Sequence, residues 1–125
     1  MSAPRVLVAD DVVANQKLFS IYLKKDYDVV VVGTAEDALA EVQGGAVDAA
    51  LLDLNYQGGM SGIELVQRIR ADEATASVPT PALTAHASAD DRQRCLDAGF
   101  DAYLSKPVMR DAMLEAVRDL LAKAA

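Results

Sequence analysis

The residues of this sequence that could do chemistry share one position: each follows a short apolar run. They are Asp10 and Asp11 after residues 5–9, Asp53 after 49–52, Thr84 after 82–83, and Lys106 after 102–105. A set of three carboxylates with water filling the remaining positions is the kind of hard oxygen site that suits Mg²⁺. An ammonium and a hydroxyl beside such a site are parts that neutralise charge in phosphoryl transfer.

Among these residues Asp53 is the candidate nucleophile, because a carboxylate can itself attack phosphorus and form an aspartyl phosphate. It is the one acid on the middle run, between the acidic pair and Thr84. Taken singly, each signal has an ordinary explanation: a strand-end Asp is usually a helix cap or a solvated loop residue, and an Asp-Asp pair is usually a turn. Their joint occurrence at the ends of successive runs favours a common site.

The apolar run that leads to Asp53 predicts the strand around which the fold is organised. Residues 47–54 are almost continuously apolar and too few for a typical helix, which is typical of a strand buried on both faces of a parallel sheet. Open α/β sheets bind ligands at the carboxyl ends of such strands. The four groups of reactive residues are therefore expected to meet at one edge of the sheet.

The rest of the chain alternates between strand and helix patterns. Strands are predicted at about 5–10, 28–32, 47–55, 78–84 and 101–105, and helices over about 12–25, 34–44, 61–70, 88–99 and 108–121. Thr34 and Ser88 are expected to cap their helices. Five βα units imply one α/β domain over 1–125, a parallel sheet with helices on both faces. Pro81 is awkward within the fourth strand because it donates no ladder hydrogen bond.

Composition excludes several classes of protein. The formal net charge of −7 argues against binding to nucleic-acid backbones. No apolar run approaches the roughly 18 residues of a membrane helix, and the first residues lack a signal-peptide pattern, so a cytoplasmic protein without membrane association is expected. Cys95 is the one cysteine, which fits a reducing compartment and a buried apolar role, and His86 is the one histidine, so no zinc-type cluster exists.

The set Asp10-Asp11, Leu51-Leu52-Asp53, Leu83-Thr84-Ala85 and Ser105-Lys106-Pro107 resembles the signature of receiver domains of two-component response regulators, over essentially the whole chain. The resemblance implies a flavodoxin-like fold, a five-stranded parallel sheet with strand order 2-1-3-4-5. It also implies the roles of individual residues.

By this resemblance Asp53 accepts a phosphoryl group in a Mg²⁺-dependent reaction. Asp11 would contact Mg²⁺ directly, Asp10 mostly through water, and the backbone carbonyl of Asn55 would complete the protein ligands. Thr84 and Lys106 would hold phosphoryl oxygens. The remaining implied features are access to the phosphoryl group past Ala85, a cis Lys106-Pro107 bond, an aromatic switch at Tyr103 that follows Thr84, and tuning of dephosphorylation by Asn55, Ala85 and His86.

The implied function is a signalling switch rather than an enzyme, since the domain would catalyse only its own phosphorylation and dephosphorylation. The phosphodonor would be a sensor histidine kinase or a histidine phosphotransferase. The changed face over 88–123 would then engage a downstream protein target.

The sequence departs from the family pattern in the loop after Asp53. Tyr56-Gln57 replace the usual Met-Pro pair, and the segment up to Gly62 is one residue longer. Two glycines in place of one proline predict a more flexible loop, which bears on the position of the Asn55 carbonyl.

Two alternatives stay open. The chain could be a free-standing receiver or a receiver module from a longer regulator or hybrid kinase, and its closing helix mildly favours the first. A remoter alternative is an aspartyl-phosphate phosphatase of another class, such as a haloacid-dehalogenase-like enzyme. That class has Asp at the position of Asn55 and usually carries a cap domain, for which no sequence remains.

Overall fold

The computed structural model describes residues 3–85 and 88–124. Strands and helices alternate along them: β1 Arg5–Ala9, α1 Val13–Leu23, β2 Asp28–Val32, α2 Ala35–Gln43, β3 Ala49–Asp53, α3 Gly62–Ala71, β4 Pro81–Thr84, α4 Ala89–Ala98, β5 Ala102–Ser105 and α5 Arg110–Ala124. All strand pairs are parallel, and the order across the sheet is β2-β1-β3-β4-β5. The flavodoxin-like architecture predicted from the sequence is confirmed.

Side chains of the sheet alternate between two apolar cores. Val6, Val8 and Leu51 pack with Phe19 of α1 and Met113 of α5 on one face. On the other face, the neighbouring strand residues (Leu7, Ala9, Ala50, Leu52) pack with residues of α2, α3 and α4. Every residue of β3 is buried, because this strand has strands on both sides and helices on both faces. The prediction that the strand of Asp53 lies at the centre is confirmed.

Side chains expected to cap helices do so. The hydroxyl of Thr34 accepts from the backbone N–H of Asp37 at 3.0 Å, and that of Ser88 accepts from Asp91 N–H at 3.1 Å. Ser61 caps α3 in the same way through Glu64 N–H, at 3.2 Å. Each contact satisfies one of the N–H groups that a helix start leaves unpaired.

The fourth strand is shorter than predicted, and this resolves the difficulty of Pro81. The strand begins at Pro81 rather than at 78, and its pairing with β3 begins at Ala82 opposite Leu52. A proline is tolerated at the first position of a strand, where no ladder hydrogen bond needs its N–H. The third strand likewise spans Ala49–Asp53 rather than 47–55.

Arg70 holds the segment before β4 in place, a role that helical periodicity did not reveal. Its guanidinium donates to the carbonyls of Gly99 (2.9 Å), Ala76 (3.0 Å) and Val78 (2.7 Å). It also donates to the Thr80 hydroxyl at 2.6 Å and to the Asp101 carboxylate at 2.7 Å. One side chain thus ties the end of α3 to the residues that enter β4 and β5, and so fixes the two strands that carry Thr84 and Lys106.

Candidate functional site

The three predicted acids meet at the carboxyl edge of the sheet. One ligand oxygen from each of Asp10, Asp11 and Asp53 lies within 4.8 Å of the others. Asp10 follows β1 and Asp53 ends β3. Both are buried, whereas Asp11 is half-buried. The edge therefore concentrates negative charge at a spot that solvent reaches mainly past Asp11.

Lys106 bridges two of these acids. Its ammonium donates to Asp10 Oδ2 at 2.8 Å and to Asp53 Oδ2 at 2.8 Å. The Lys106-Pro107 peptide bond is cis, as expected. The carboxylates raise the pKa of Lys106 although burial opposes them. With one cation against three acids, the described site keeps a net negative charge.

Asp10 and Asp53 have different surroundings. Asp10, fully buried, accepts from Val12 N–H at 2.9 Å and from the Asn15 amide at 3.3 Å in addition to Lys106. Asp53 accepts from Asn55 N–H at 3.2 Å beside its bond to Lys106. Burial is the main reason why the pKa of Asp53 is raised, and the hydrogen bonds of Lys106 and Asn55 oppose it. Asp53 is therefore the less fully compensated of the two.

Thr84 ends β4 beside this cluster. The register pairs Asp53 with Leu83 and Thr84 with Ser105, so Thr84 lies one residue beyond Asp53 at the same edge. Its backbone carbonyl accepts from Lys106 N–H at 2.7 Å, and the residue is 1% exposed. Ala85, next in the chain, is exposed. His86 lies outside the described residues.

Tyr103 lies on β5, one strand away from Thr84. Its hydroxyl oxygen is buried, and the hydroxyls of Ser105 and Thr84 lie beside it. Desolvation raises the pKa of Tyr103 and outweighs the lowering by these two hydroxyls. The ring also borders an open groove formed with Ser88 and Arg92 of the α4 region.

The start of α3 is packed against the end of β3 without room for a side chain. Gly62 N–H donates to Leu54 O at 2.9 Å, and a Cβ on Gly62 would collide with the backbone carbonyl of Asp53. A glycine is needed at position 62 because α3 and β3 approach closely there, not because the backbone angle is unusual. This close approach packs the start of the helix against the strand that carries Asp53.

Sequence reasoning missed the contacts of the 56–60 loop with the acid cluster. Gln57 N–H donates to Asp11 Oδ2 at 3.2 Å, and the Tyr56 hydroxyl donates to Ala9 O at 3.3 Å. Gly58 and Gly59 have φ of 80° and 70°, a region that L side chains rarely adopt. That these two glycines make the loop more flexible stays a prediction. The departure from Met-Pro marked this segment but did not indicate its contacts.

The donor set fits a small divalent cation. Three carboxylates present oxygen alone, the ligand that Mg²⁺ prefers, and their distance apart suits ligation of one ion by a few protein groups and water. The Asn55 carbonyl remains a predicted ligand. Lys106, held between two of the acids, would limit the repulsion before an ion binds.

A parallel five-stranded fold with an acid cluster, a lysine and a threonine at its carboxyl edge defines a phosphoacceptor module. The sequence model of the response regulator receiver domain matches residues 6–118, and the chain belongs to this family. The alternative of a phosphatase of another class is not supported.

Particular relatives agree with this assignment. The chain is 39% identical over 119 residues to the sensor protein GacS of Pseudomonas syringae pv. syringae, covering 92% of this chain and 13% of that protein. It therefore spans a small part of this curated relative.

Among solved structures, the receiver domain of sensor histidine kinase PA1611 from Pseudomonas aeruginosa PAO1, with a magnesium ion in its active-site cleft, has a TM-score of 0.88. Its sequence identity is 30%, and the match covers 97% of this chain and 99% of that chain. A CheY-like receiver domain protein from Methanospirillum hungatei JF-1 has a TM-score of 0.88 at 28% identity, covering 98% and 97%. No helix in the described ranges is long and apolar enough to cross a membrane.

Proposed function

We propose that Asp53 accepts a phosphoryl group from a phosphohistidine in a Mg²⁺-dependent reaction, and that the domain acts as a switch rather than as an enzyme with a separate substrate. The observation that carries the proposal is the ammonium of Lys106 2.8 Å from both Asp10 and Asp53, beside the three clustered acids. A cation at the nucleophile is needed because a phosphoryl group brings negative charge to acids that would repel it.

Phosphoryl transfer to Asp53 and its later hydrolysis each form one bond to phosphorus and break another. A carboxylate oxygen of Asp53 attacks phosphorus, a P–O bond forms, and the N–P bond of the donor's phosphohistidine breaks with the electron pair leaving on the imidazole. When the phosphoryl group is lost by hydrolysis, water attacks phosphorus, the P–O bond to Asp53 breaks, and the Asp53 carboxylate leaves. Asp11, Asp53, the Asn55 carbonyl and, through water, Asp10 would hold a bound Mg²⁺. The ion would supply positive charge to the phosphoryl oxygens.

The chain's own residues would secure the product. Lys106 exchanges a carboxylate contact for a phosphoryl oxygen, and Thr84 donates its hydroxyl to another. Ala85 leaves the approach open, since it is small and exposed. Asn55, Ala85 and His86 are proposed to tune how quickly water removes the group.

The signal would leave through the face over 88–123. Phosphorylation adds about 1.5 to 2 negative charges at Asp53, and Lys106 and Thr84 connect that site to β5 through Lys106 N–H and Thr84 O. Tyr103 would move when Thr84 moves, and this movement would change the groove between α4 and β5 that its ring borders. The occupant would be a downstream protein target.

The donor would be a histidine kinase or phosphotransferase in the cytoplasm, and it must contact the edge around Asp53. Three exposed apolar side chains, here called the rim patch, suit such a partner: Val12 (46% exposed), Val13 (59%) and Met109 (67%). Val12 directly follows Asp11, and Met109 lies three residues beyond Lys106. A donor that brings phosphohistidine to Asp53 would bury these side chains.

Two phosphodonors test the proposal. Acetyl phosphate is expected to phosphorylate the wild type with Mg²⁺ but not with chelator, as read by intact mass. Transfer from a panel of phosphorylated histidine kinases is expected to fall in Val13→Glu and Met109→Glu, while acetyl phosphate labelling stays unchanged.

Leu96→Glu, which changes an apolar residue 36% exposed on α4, serves as the control and is expected to accept normally. Labelling that persists in chelator would contradict the metal dependence. Equal loss of kinase transfer in all three variants would contradict the rim patch.

A further inference from the structure

The 56–60 loop is tied to the protein at three points around the acid cluster. At its start Tyr56 donates to Ala9 O, and Gln57 N–H donates to Asp11 Oδ2. At its end Met60 N–H donates to Glu36 Oε2 at 2.8 Å. Glu36 belongs to the first turn of α2, so the loop joins this helix to the residues that would bind metal.

Glu36 fits the loop closely. A Cβ on Gly59 would lie 2.6 Å from Glu36 Oε2, so a side chain at this position would displace the Glu36 carboxylate. The hydrogen bond from Met60 N–H is the largest cause of the lowered pKa of Glu36. The exposed carboxylate is therefore held against the loop by a specific backbone contact rather than being merely solvated.

The other end of the loop orients Asp11. Within residues 3–85 and 88–124, the Asp11 carboxylate forms one hydrogen bond, from Gln57 N–H at 3.2 Å. This contact uses Oδ2. Because Asp11 is half-buried and is not bonded to Lys106, its orientation depends on the loop more than that of Asp10 does.

We propose that Glu36 is a positioning residue for the metal site and acts through the Gly58-Gly59 turn on Asp11. The inference rests on the proposed function, since it takes Asp11 as a metal ligand. Without the Glu36 acceptor, Met60 N–H loses its partner and the two glycines allow the loop to pivot at little conformational cost. Asp11 then loses its fixed orientation, and metal binding must order it.

Isothermal titration of the full chain with MgCl₂ in chelator-free buffer tests this inference. Direct partners of metal ligands change affinity by roughly 10- to 100-fold when removed, and Glu36 acts one step further out, so Glu36→Ala should raise the Kd by about three- to tenfold. Glu36→Gln loses the charge but keeps an oxygen acceptor, and its Kd should stay within about twofold of wild type.

Asp37→Ala is the matched control. Asp37 neighbours Glu36 in the same first turn, and its side chain forms no hydrogen bond or ion pair across the described residues. The two alanine variants therefore lose a charge at the same helix end, but only Glu36→Ala loses the contact with the loop. Asp37→Ala should bind Mg²⁺ within about twofold of wild type.

Amide spectra of metal-free protein give a second measurement. Glu36→Ala should shift the Gln57 and Met60 amides and speed their hydrogen exchange, and Asp37→Ala should not. A Kd for Glu36→Ala equal to that of Asp37→Ala, or unchanged Gln57 exchange, would overturn the positioning role. Absence of Mg²⁺ binding by the wild type would instead overturn the metal site in the proposed function, and the positioning role with it.

Discussion

Replacing Asp53 by Asn should stabilise the metal-free protein by about 1 kcal/mol, although it removes an ion pair. The ligand oxygens of the three acids lie within 4.8 Å of one another. At such a distance, two carboxylates repel by about 3.5 kcal/mol at an effective dielectric constant of about 20. Lys106 at 2.8 Å attracts Asp53 by about 6 kcal/mol on the same scale. The attraction and the two repulsions therefore roughly cancel.

Because the Coulomb energies roughly cancel, the net effect of the Asp53 charge on stability is set by the cost of removing the carboxylate from water. The residue is 5% exposed, and its pKa is raised chiefly by this burial. Asn keeps the shape and an acceptor for Lys106 without that cost. The gain depends on pH: it should be absent below the ordinary Asp pKa of 3.8, grow as the pH rises from there to the higher pKa of Asp53 in the folded protein, and then stay constant.

Asp10→Asn is the matched variant and should change stability in the opposite sense. Asp10 is fully buried and accepts from Val12 N–H, the Asn15 amide and Lys106. An amide in its place puts a donor among donors, at a cost of about 1–2 kcal/mol. Urea unfolding followed by circular dichroism, in chelator at neutral pH, measures both variants. If Asp53→Asn were less stable than wild type, or if both variants changed in the same sense, the charge balance described here would be wrong.

Three further changes are expected to have measurable effects. Lys106→Met should destabilise the metal-free protein by about 2 kcal/mol in urea melts because two buried acids lose their cation, and adding Asp53→Asn should recover part of the loss. Arg70→Lys should cost about 2 kcal/mol because an ammonium cannot reproduce the five hydrogen bonds of the guanidinium; an unchanged urea midpoint would contradict this. Gly62→Ala should cost about 1–3 kcal/mol and slow acetyl phosphate labelling, since a Cβ there collides with the Asp53 backbone; normal labelling at wild-type stability would exclude that collision.

The sequence contained most of the fold because its signals were local. Continuous apolar runs marked the strands, and Thr34 and Ser88 marked helix starts through side-chain capping that needs no distant partner. The strand-end acids were predictable as a group because parallel strands bring their carboxyl ends to one edge. The aromatic position Tyr103 and the cis bond before Pro107 came from resemblance to the family, not from spacing.

What the sequence could not reveal depends on contacts between distant residues. Nothing local indicates that Arg70 reaches Asp101, 31 positions away, or that Glu36 reaches Met60, 24 positions away. Pro81 suggested a defective strand because the sequence does not show that β4 begins only at this residue. The preceding segment is held outside the strand by its contacts with Arg70. The two glycines after Gln57 did not indicate that the residues on either side of them contact Asp11 and Glu36.

We expect Asp53, alone among the three neighbouring carboxylates, to form the acyl phosphate. Its location can be read directly: protein treated with acetyl phosphate and Mg²⁺ is reduced with borohydride, which converts an aspartyl phosphate to homoserine, and is then mapped by peptide mass spectrometry. We expect homoserine at position 53, none at Asp10 or Asp11, and none anywhere in Asp53→Asn or in chelator. Homoserine at Asp10 or Asp11 in the wild type, or undiminished conversion in Asp53→Asn, would contradict the account.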